Sequence, residues 1–479
     1  MTESTETSSS PRFQKQKRYF FCGIGGSGML PLAQILKGHG AQVSGSDRSH
    51  DQGRSPEKFA WLEENGFELS PQDGSGIVSS EQVLIASAAV EDTVPEMVRA
   101  RRVGCKRMTR AEALSGIFNE AGYSVAIGGT SGKSTVTAMT GWMIEAQGYD
   151  PTIMNGAVMK NFKTDDNPFA TAKVGNSPLF ISEVDESDGS IALYRPTIGV
   201  LLNVSLDHKS MEELRMLFGD FLNKSAARVV NYDDPEVRQL TDGMEGIVSF
   251  GIEAQASDIT VEPGSIQQNS FGQRATILEK DTGNKYQLNL AMPGLHNLSN
   301  ALAALGVAKT ASIPLDKAVD ALGDFDGLAR RFDVAGVTDS NITVIDDFGH
   351  NPEKCGATLR TLKATPGRVI AFFQPHGYGP LRQMGEELAD TFVRELDEGD
   401  IVIMCDPVYY GGTVDRSEGT DKLITQIASN GRRAEYLAKR DACRLRIVDI
   451  AQPEDRIVVM GARDDTLSDF AKSLVERLS

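Results

Sequence analysis

The chain has 479 residues, 40% of them apolar and 24% charged, with a formal net charge of -17. At ~150 residues per domain the length points to three domains, and no run approaches the ~18 uninterrupted apolar residues of a membrane span. The lack of such a run argues against membrane insertion, and the negative balance argues against extended nucleic-acid binding, so any phosphate site has to be a focused cationic pocket.

Residues 1–17, rich in Ser, Thr and Glu and then in Lys and Arg, read as a disordered tail without the apolar centre of an export signal. Cys22, Cys105, Cys355, Cys405 and Cys443 lack paired spacing, which argues against a zinc cluster or disulfide framework. Both features fit a cytoplasmic location. From Arg18 an apolar run, a glycine turn, a helix-like stretch and a second apolar run at Ala41 to Val43 form a βαβ opening. Its turn, Gly23-Ile24-Gly25-Gly26-Ser27-Gly28, satisfies G-x-G-x-x-G, and Asp47 ends the second run. Taken alone, this pair suggests a dinucleotide. Runs at Gln82 to Ala86, followed by Ser87, and at Val103 to Met108 complete a small parallel sheet ending near residue 120.

A second domain opens with the strand-like Tyr123 to Ile127 and then Gly128-Gly129-Thr130-Ser131-Gly132-Lys133-Ser134-Thr135. Glycines there let successive backbone N–H groups face one anion, the helix end adds its dipole, Lys133 adds a point charge and Ser134 a hydroxyl for Mg2+. The loop is one residue shorter than the general P-loop pattern. Buried strands are expected at Leu179 to Glu183 and at Thr197 to Asn203, which lead into the acidic Glu183-Val184-Asp185-Glu186-Ser187-Asp188 and into Asp207-His208. Carboxylates at such strand ends sit where phosphate-bound Mg2+ needs oxygen ligands. Glu183 is the first candidate, and His208 is a candidate for a second metal. The Glu253 to Gln287 stretch reads as an antiparallel meander and Asn297 to Thr310 as a helix, on which Asn300 can read an adenine edge while Asn297 is equally well an ordinary cap.

Beyond residue 330 a third α/β pattern follows, with apolar runs at Thr343 to Ile345, Arg368 to Phe373, Asp400 to Cys405 and Arg456 to Met460. Arg330-Arg331-Phe332-Asp333, Asp346-Asp347-Phe348-Gly349-His350-Asn351-Pro352 and Phe373-Gln374-Pro375-His376-Gly377-Tyr378-Gly379-Pro380-Leu381-Arg382 place cations, acids and imidazoles at the ends of these runs. The fold class is therefore α/β in three domains. An N-terminal Rossmann-like domain spans 18–120, a central P-loop ATPase-type domain 121–329, and a C-terminal Rossmann-like open sheet 330–479.

Taken in order, Gly23-Ile24-Gly25-Gly26, Ser44-Gly45-Ser46-Asp47, Gly129-Thr130-x-Gly132-Lys133, Glu183-x-Asp185-Glu186-Ser187-Asp188, Pro293-Gly294-x-His296-Asn297, Arg330-Arg331-Phe332-Asp333 and Asp347-x-Gly349-His350 resemble the Mur ligases. Among them the likeness is greatest to the subgroup that adds L-alanine to UDP-N-acetylmuramate. The resemblance implies an ATP-dependent amide ligase of peptidoglycan precursor synthesis that works through an acyl phosphate, as monomer or dimer. It implies that Gly25, Gly26 and Ser27, with Asp47, Ser87 and His376, bind substrate. Gly129, Thr130, Gly132, Lys133, Ser134 and Thr135 would bind ATP, together with Asn300, Arg331 and Asp347. Ser134, Glu183 and His208 would serve Mg2+, and Lys133, Glu183, His208, His350 and Arg382 the chemistry. Several positions depart from the subgroup. Gly377 and Pro380 stand where arginines are expected, Phe348 and Asn351 replace a tyrosine and a histidine, Ser131 replaces a histidine, and Lys224 is out of register for a carbamylated lysine. These departures keep open a Mur-type ligase with another acceptor, such as a recycled murein peptide, or a regulatory nucleotide binder. An NAD-dependent oxidoreductase using the first loop is the remaining alternative.

Overall fold

A computed structural model describes residues 17–206, 209–408, 416 and 419–479. The chain divides into two compact units, the first holding residues 1–266, 274–290 and 297–326, the second 267–273, 291–296 and 327–479.

The first unit contains two sheets. In the N-terminal one, β1 (Arg18–Cys22), β2 (Gln42–Ser46), β3 (Glu68–Ser70), β4 (Gln82–Ala86) and β5 (Lys106–Thr109) lie in the order β3-β2-β1-β4-β5. All neighbours are parallel. The order reverses at β1, so the loops after β1 and β4 leave the carboxyl edge in opposite directions and open a crevice. The helix Arg110–Asn119 follows, started by a capping box in which Glu112 N donates to Thr109 Oγ1 (3.1 Å) and Thr109 N to Glu112 Oε2 (2.7 Å). Its Phe118 meets Phe180 and Tyr194 edge-on, at 5.5 and 5.1 Å between ring centroids. One apolar core thereby runs from Tyr19 and Phe21 through Phe118 to Leu201 and Phe221.

The central sheet is built on β6 (Tyr123–Gly128), β7 (Thr152–Met154), β8 (Ala172–Lys173), β9 (Leu179–Glu183), β10 (Ile198–Leu201), β11 (Ala227–Asn231) and β12 (Ile247–Gly251). Strand β6 is flanked by β9 and β10, both parallel to it. Val125, Ala126 and Ile127 are fully buried, as a strand covered on both faces requires. Beyond β12 and β13 (Ile259–Val261) the sheet turns antiparallel at β15 (Gly272–Glu279), beside which runs β16 (Lys285–Leu290); β14 (Gln267–Asn269) falls in the second unit. This is the meander expected from the alternating pattern.

The second unit holds β17 (Asp333–Val337), β18 (Thr343–Asp347), β19 (Val369–Phe373), β20 (Ile401–Met404), β21 (Arg433–Tyr436) and β22 (Arg456–Met460), ordered β17-β18-β22-β19-β20-β21. It is parallel except for the edge strand β17, whose pairing the apolar runs did not foretell. Alternation sorts its side chains. Val369, Ala371 and Phe373 join one apolar cluster with Val458 and Met460, while Ile370 and Phe372 join the opposite one with Ile457 and Val459.

Candidate functional site

At the end of β6 the backbone turns through Gly129 (φ +138°) and Gly132 (φ +86°) into the helix Lys133–Glu145. Both angles favour glycine. A Cβ at Gly132 would stand 2.6 Å from Asn300 Oδ1, so the loop and the start of the Leu295–Thr310 helix are in close contact. That helix begins two residues earlier than expected. Asn297 is consequently a buried residue of its first turn rather than a cap.

The flanking strands supply the polar groups. Lys133 Nζ donates to Gly129 O (2.6 Å) and to Glu186 Oε2 (2.8 Å), and Ser134 Oγ donates to Glu183 Oε2 (2.6 Å). Burial raises the Glu186 carboxyl above its ordinary range, and Lys133 opposes that shift. Beside it, the Asp185 carboxyl is also penalised by burial, yet the Ser187 hydroxyl and backbone N–H pull it below its usual range. From the other flank, Asn203 Oδ1 accepts from Ser131 N and from Thr130 Oγ1, both at 2.8 Å. Asn155 Nδ2 donates to Ser134 O (2.9 Å), and Thr135 is buried behind it. A Cβ at Gly156 would fall 2.3 Å from Glu183 Oε1. The hydroxyl of Ser134 and the carboxylate of Glu183 thus converge as hard oxygen donors, a set suited to Mg2+, which takes few protein ligands and completes its shell with phosphate and water. His208 lies outside the described residues.

In the first loop, Asp47 turns inward. Its Oδ2 accepts from Gly25 N (2.9 Å) and its Oδ1 from Ser49 N (2.8 Å), leaving it buried and committed to shaping the turn. A carboxylate held this way is not presented to a ribose as the dinucleotide reading requires. Gly26 and Ser27 are exposed at the same turn. Arg110 lies against Gly28, where a Cβ would meet its Cδ at 3.1 Å, and its Nη2 reaches Asp188 Oδ2 at 3.6 Å. Ser87 borders a cavity of about 280 Å³ at the carboxyl ends of β4 and β5, lined also by Asp92, Arg107, Thr109 and Glu112.

In the second unit, the buried Asp347 accepts from Phe332 N (2.8 Å), Gly349 N (2.8 Å) and Thr358 Oγ1 (2.9 Å). Arg330, at φ +59°, reaches Asp346 Oδ1 at 3.3 Å and Gly461 O at 2.7 Å. The Arg331 guanidinium lies 4.8 Å from the centre of the Phe348 ring. Asn351 caps the helix Pro352–Lys363, its Oδ1 accepting from Lys354 N at 2.9 Å. The His350 and His376 rings meet edge-on at 5.1 Å, whereas Arg382 is exposed. Gly377 (φ +151°) precedes the helix Tyr378–Glu395, whose first turn holds Pro380.

Three family models cover most of the chain: the Mur ligase family catalytic domain at residues 18–121, the Mur ligase middle domain at 127–308, and the Mur ligase glutamate ligase domain at 330–463. A UDP-N-acetylmuramate–L-alanine ligase of Brucella anthropi is 33% identical over 473 residues, 95% of this chain and 97% of that one. The enzyme of the same name from Desulforamulus reducens is 31% identical over 477 residues, 97% and 98% of the two chains. The chain belongs to the Mur ligase family. The UDP-N-acetylmuramate–alanine ligase structure from Thermotoga maritima superposes with a TM-score of 0.77 at 25% identity, covering 96% of this chain and 98% of that one. A murein peptide ligase from Psychrobacter arcticus shares the fold, at a TM-score of 0.69 and 22% identity over 96% and 98% of the two chains.

Within this Mur ligase, Asn155, Gly156, Asn203 and Arg110 were not singled out as site residues from the sequence. Asn203 carried a usable signal, since it follows a strand adjacent to β6. The histidine pair predicts a pH effect. Burial, then Lys354, lowers His350 to about 3, and burial, then Arg463, lowers His376 to about 4, against 6.5 ordinarily. Both are neutral in the folded protein at pH 7, so their contribution is complete above 6.5 and is lost as pH falls toward 4 and 3. Thermal melting of the second unit is expected to drop below pH 6.5, with a shallower slope in His350→Gln; identical slopes would contradict this.

Proposed function

We propose that this protein is the ATP-dependent ligase that joins the carboxylate of UDP-N-acetylmuramate to L-alanine in peptidoglycan precursor synthesis. The observation that carries the reading is the convergence of Lys133, Ser134, Glu183 and Glu186 on one glycine turn, within a chain similar over its whole length to ligases of that name. The substrate carboxylate attacks the γ-phosphorus of ATP, giving an acyl phosphate and ADP. The amine nitrogen then adds to the acyl carbon, phosphate leaves, and the nitrogen loses a proton. Residues 129–134 hold the triphosphate through backbone N–H groups, and Lys133 leaves Gly129 O and Glu186 to neutralise charge on the transferred group. Ser134 and Glu183 would hold Mg2+, which when bound screens the phosphate oxygens. Asn300, beside Gly132, would contact adenine, and the exposed Gly26 and Ser27 the UDP diphosphate. The cavity by Ser87 takes the rest of the sugar nucleotide. In this scheme residues 18–120 serve the sugar nucleotide, 121–329 ATP, and 330–479 the acceptor together with part of ATP.

The test is phosphate release and product mass with purified protein, ATP, Mg2+ and UDP-N-acetylmuramate, each amino acid and stem peptide being added in turn. L-Alanine is expected to give the fastest release and a product one alanyl residue heavier. Phosphate release without any amine preference, or preference for a stem peptide, would overturn the assignment.

A further inference from the structure

The turn after β6 is gripped by the segment that follows β10. The two strands are in register, Gly128 facing Leu201, and the backbone extends their pairing through Leu202 N to Gly128 O (3.1 Å) and Thr130 N to Asn203 O (3.3 Å). From there the Asn203 side chain takes over. Its Oδ1 accepts from Thr130 Oγ1 and from Ser131 N, both at 2.8 Å, and its Nδ2 donates to Ser131 O at 3.1 Å. An amide with its oxygen on an N–H and its nitrogen on a carbonyl has one consistent orientation. The Thr130 hydroxyl, having given its proton to Asn203, accepts from Ser205 N (3.2 Å) and from the Ser205 hydroxyl (2.8 Å). The segment carrying Asn203 is itself anchored, with Asn231 Nδ2 donating to Leu202 O (2.9 Å) and Val204 N to Asp234 Oδ2 (3.1 Å).

The bond to Ser131 O decides where the Gly132 N–H points. Both groups belong to one trans peptide unit, in which C=O and N–H face opposite ways, so a carbonyl held toward Asn203 turns that N–H away from it. Gly132 stands at φ +86°, and a glycine at this point gives the peptide unit little steric resistance to turning over. A reversed unit would replace one donor of an anion cradle by a carbonyl dipole that repels phosphate. The grip needs nothing from a nucleotide, since every partner in it is protein.

We propose that Asn203 is a positioning residue for ATP, locking the Ser131–Gly132 peptide so that the Gly132 N–H belongs to the phosphate cradle. This rests on the reading that the turn binds ATP. Without the lock the turn samples both peptide orientations, and the apparent dissociation constant rises as the competent fraction falls. Turnover at saturating ATP is preserved, because bound nucleotide selects the competent form.

The experiment compares wild type with Asn203→Leu and Asn203→Asp by calorimetric titration with ATP and Mg2+, by kcat in coupled phosphate release, and by amide hydrogen exchange of residues 128–135. Leucine keeps the side-chain volume without charge and removes donor and acceptor alike. Aspartate keeps the acceptor and sets a second oxygen against Ser131 O. Both variants are expected to bind ATP roughly 10- to 100-fold more weakly, which corresponds to a competent fraction of about 1–10%. Their kcat is expected to stay within about threefold, and the KM for the sugar nucleotide to be unchanged. Exchange in the turn is expected to quicken in nucleotide-free Asn203→Leu and to return to the wild-type rate at saturating ATP. Wild-type ATP affinity in Asn203→Asp overturns the peptide lock. So does a lowered melting temperature with unchanged ATP affinity in Asn203→Leu, the mark of a merely structural role. A wild type that binds no ATP overturns the nucleotide reading of the turn as well.

Discussion

Lys133→Ala is expected to lower kcat roughly 10²- to 10³-fold, the scale of losing one preorganised charge at a transition state. Its ammonium is held 2.6 Å from Gly129 O and 2.8 Å from Glu186, at the mouth of the turn. Removing it leaves a buried carboxyl behind. Breaking an ionised buried pair costs about 3–5 kcal/mol, but burial already biases Glu186 toward its protonated form. With the counter-charge gone that bias toward the neutral form grows and softens the cost, so the melting temperature is expected to fall by less than a broken ionised pair implies while turnover collapses. Coupled phosphate release and thermal unfolding on the same sample separate the two effects. Near-normal ADP formation by this variant would remove the P-loop from the chemistry.

Asp347→Ala is expected to destabilise the second unit by about 3–5 kcal/mol, as removing one partner from a buried charged network does. Three donors lose their acceptor at once, and two of them are backbone N–H groups that hold Phe332, itself at φ +50°, and Gly349 in place. Asp347→Asn keeps an acceptor oxygen and is expected to lose roughly half as much. Denaturant unfolding measures both. A midpoint unchanged in Asp347→Ala, together with a raised KM for ATP, would instead make this carboxylate the adenosine ligand that the family resemblance implies.

These two carboxylates of the glycine-turn motifs, Asp47 and Asp347, show where sequence reading stops. Their position at strand ends was legible, because an apolar run followed by Asp marks the carboxyl edge of a parallel sheet. Which donors face them was not, since Gly25, Ser49, Phe332 and Thr358 come from separate turns and helices. The P-loop could be read down to Lys133 and Ser134, as its spacing is local. Glu183 followed from the same strand-end rule, whereas the Lys133 partnership of Glu186 depends on how residues 184–190 turn back through the Ser187 and Ser190 contacts with Asp185. Asn351 became intelligible only in place. It caps a helix through Lys354 N, a task for which a short amide is better suited than an imidazole.

Arg110 has one flank on Gly28 and its guanidinium on Asp188, two residues beyond the partner of Lys133. Under the proposed function, an anion on the first glycine turn would compete with Asp188 for that guanidinium, so occupancy of one loop would alter the electrostatic setting of the other. Thermodynamic reciprocity makes the effect equal in both directions. Under the proposed function, that single side chain would link the sugar-nucleotide and triphosphate loops at short range, with no large rearrangement needed.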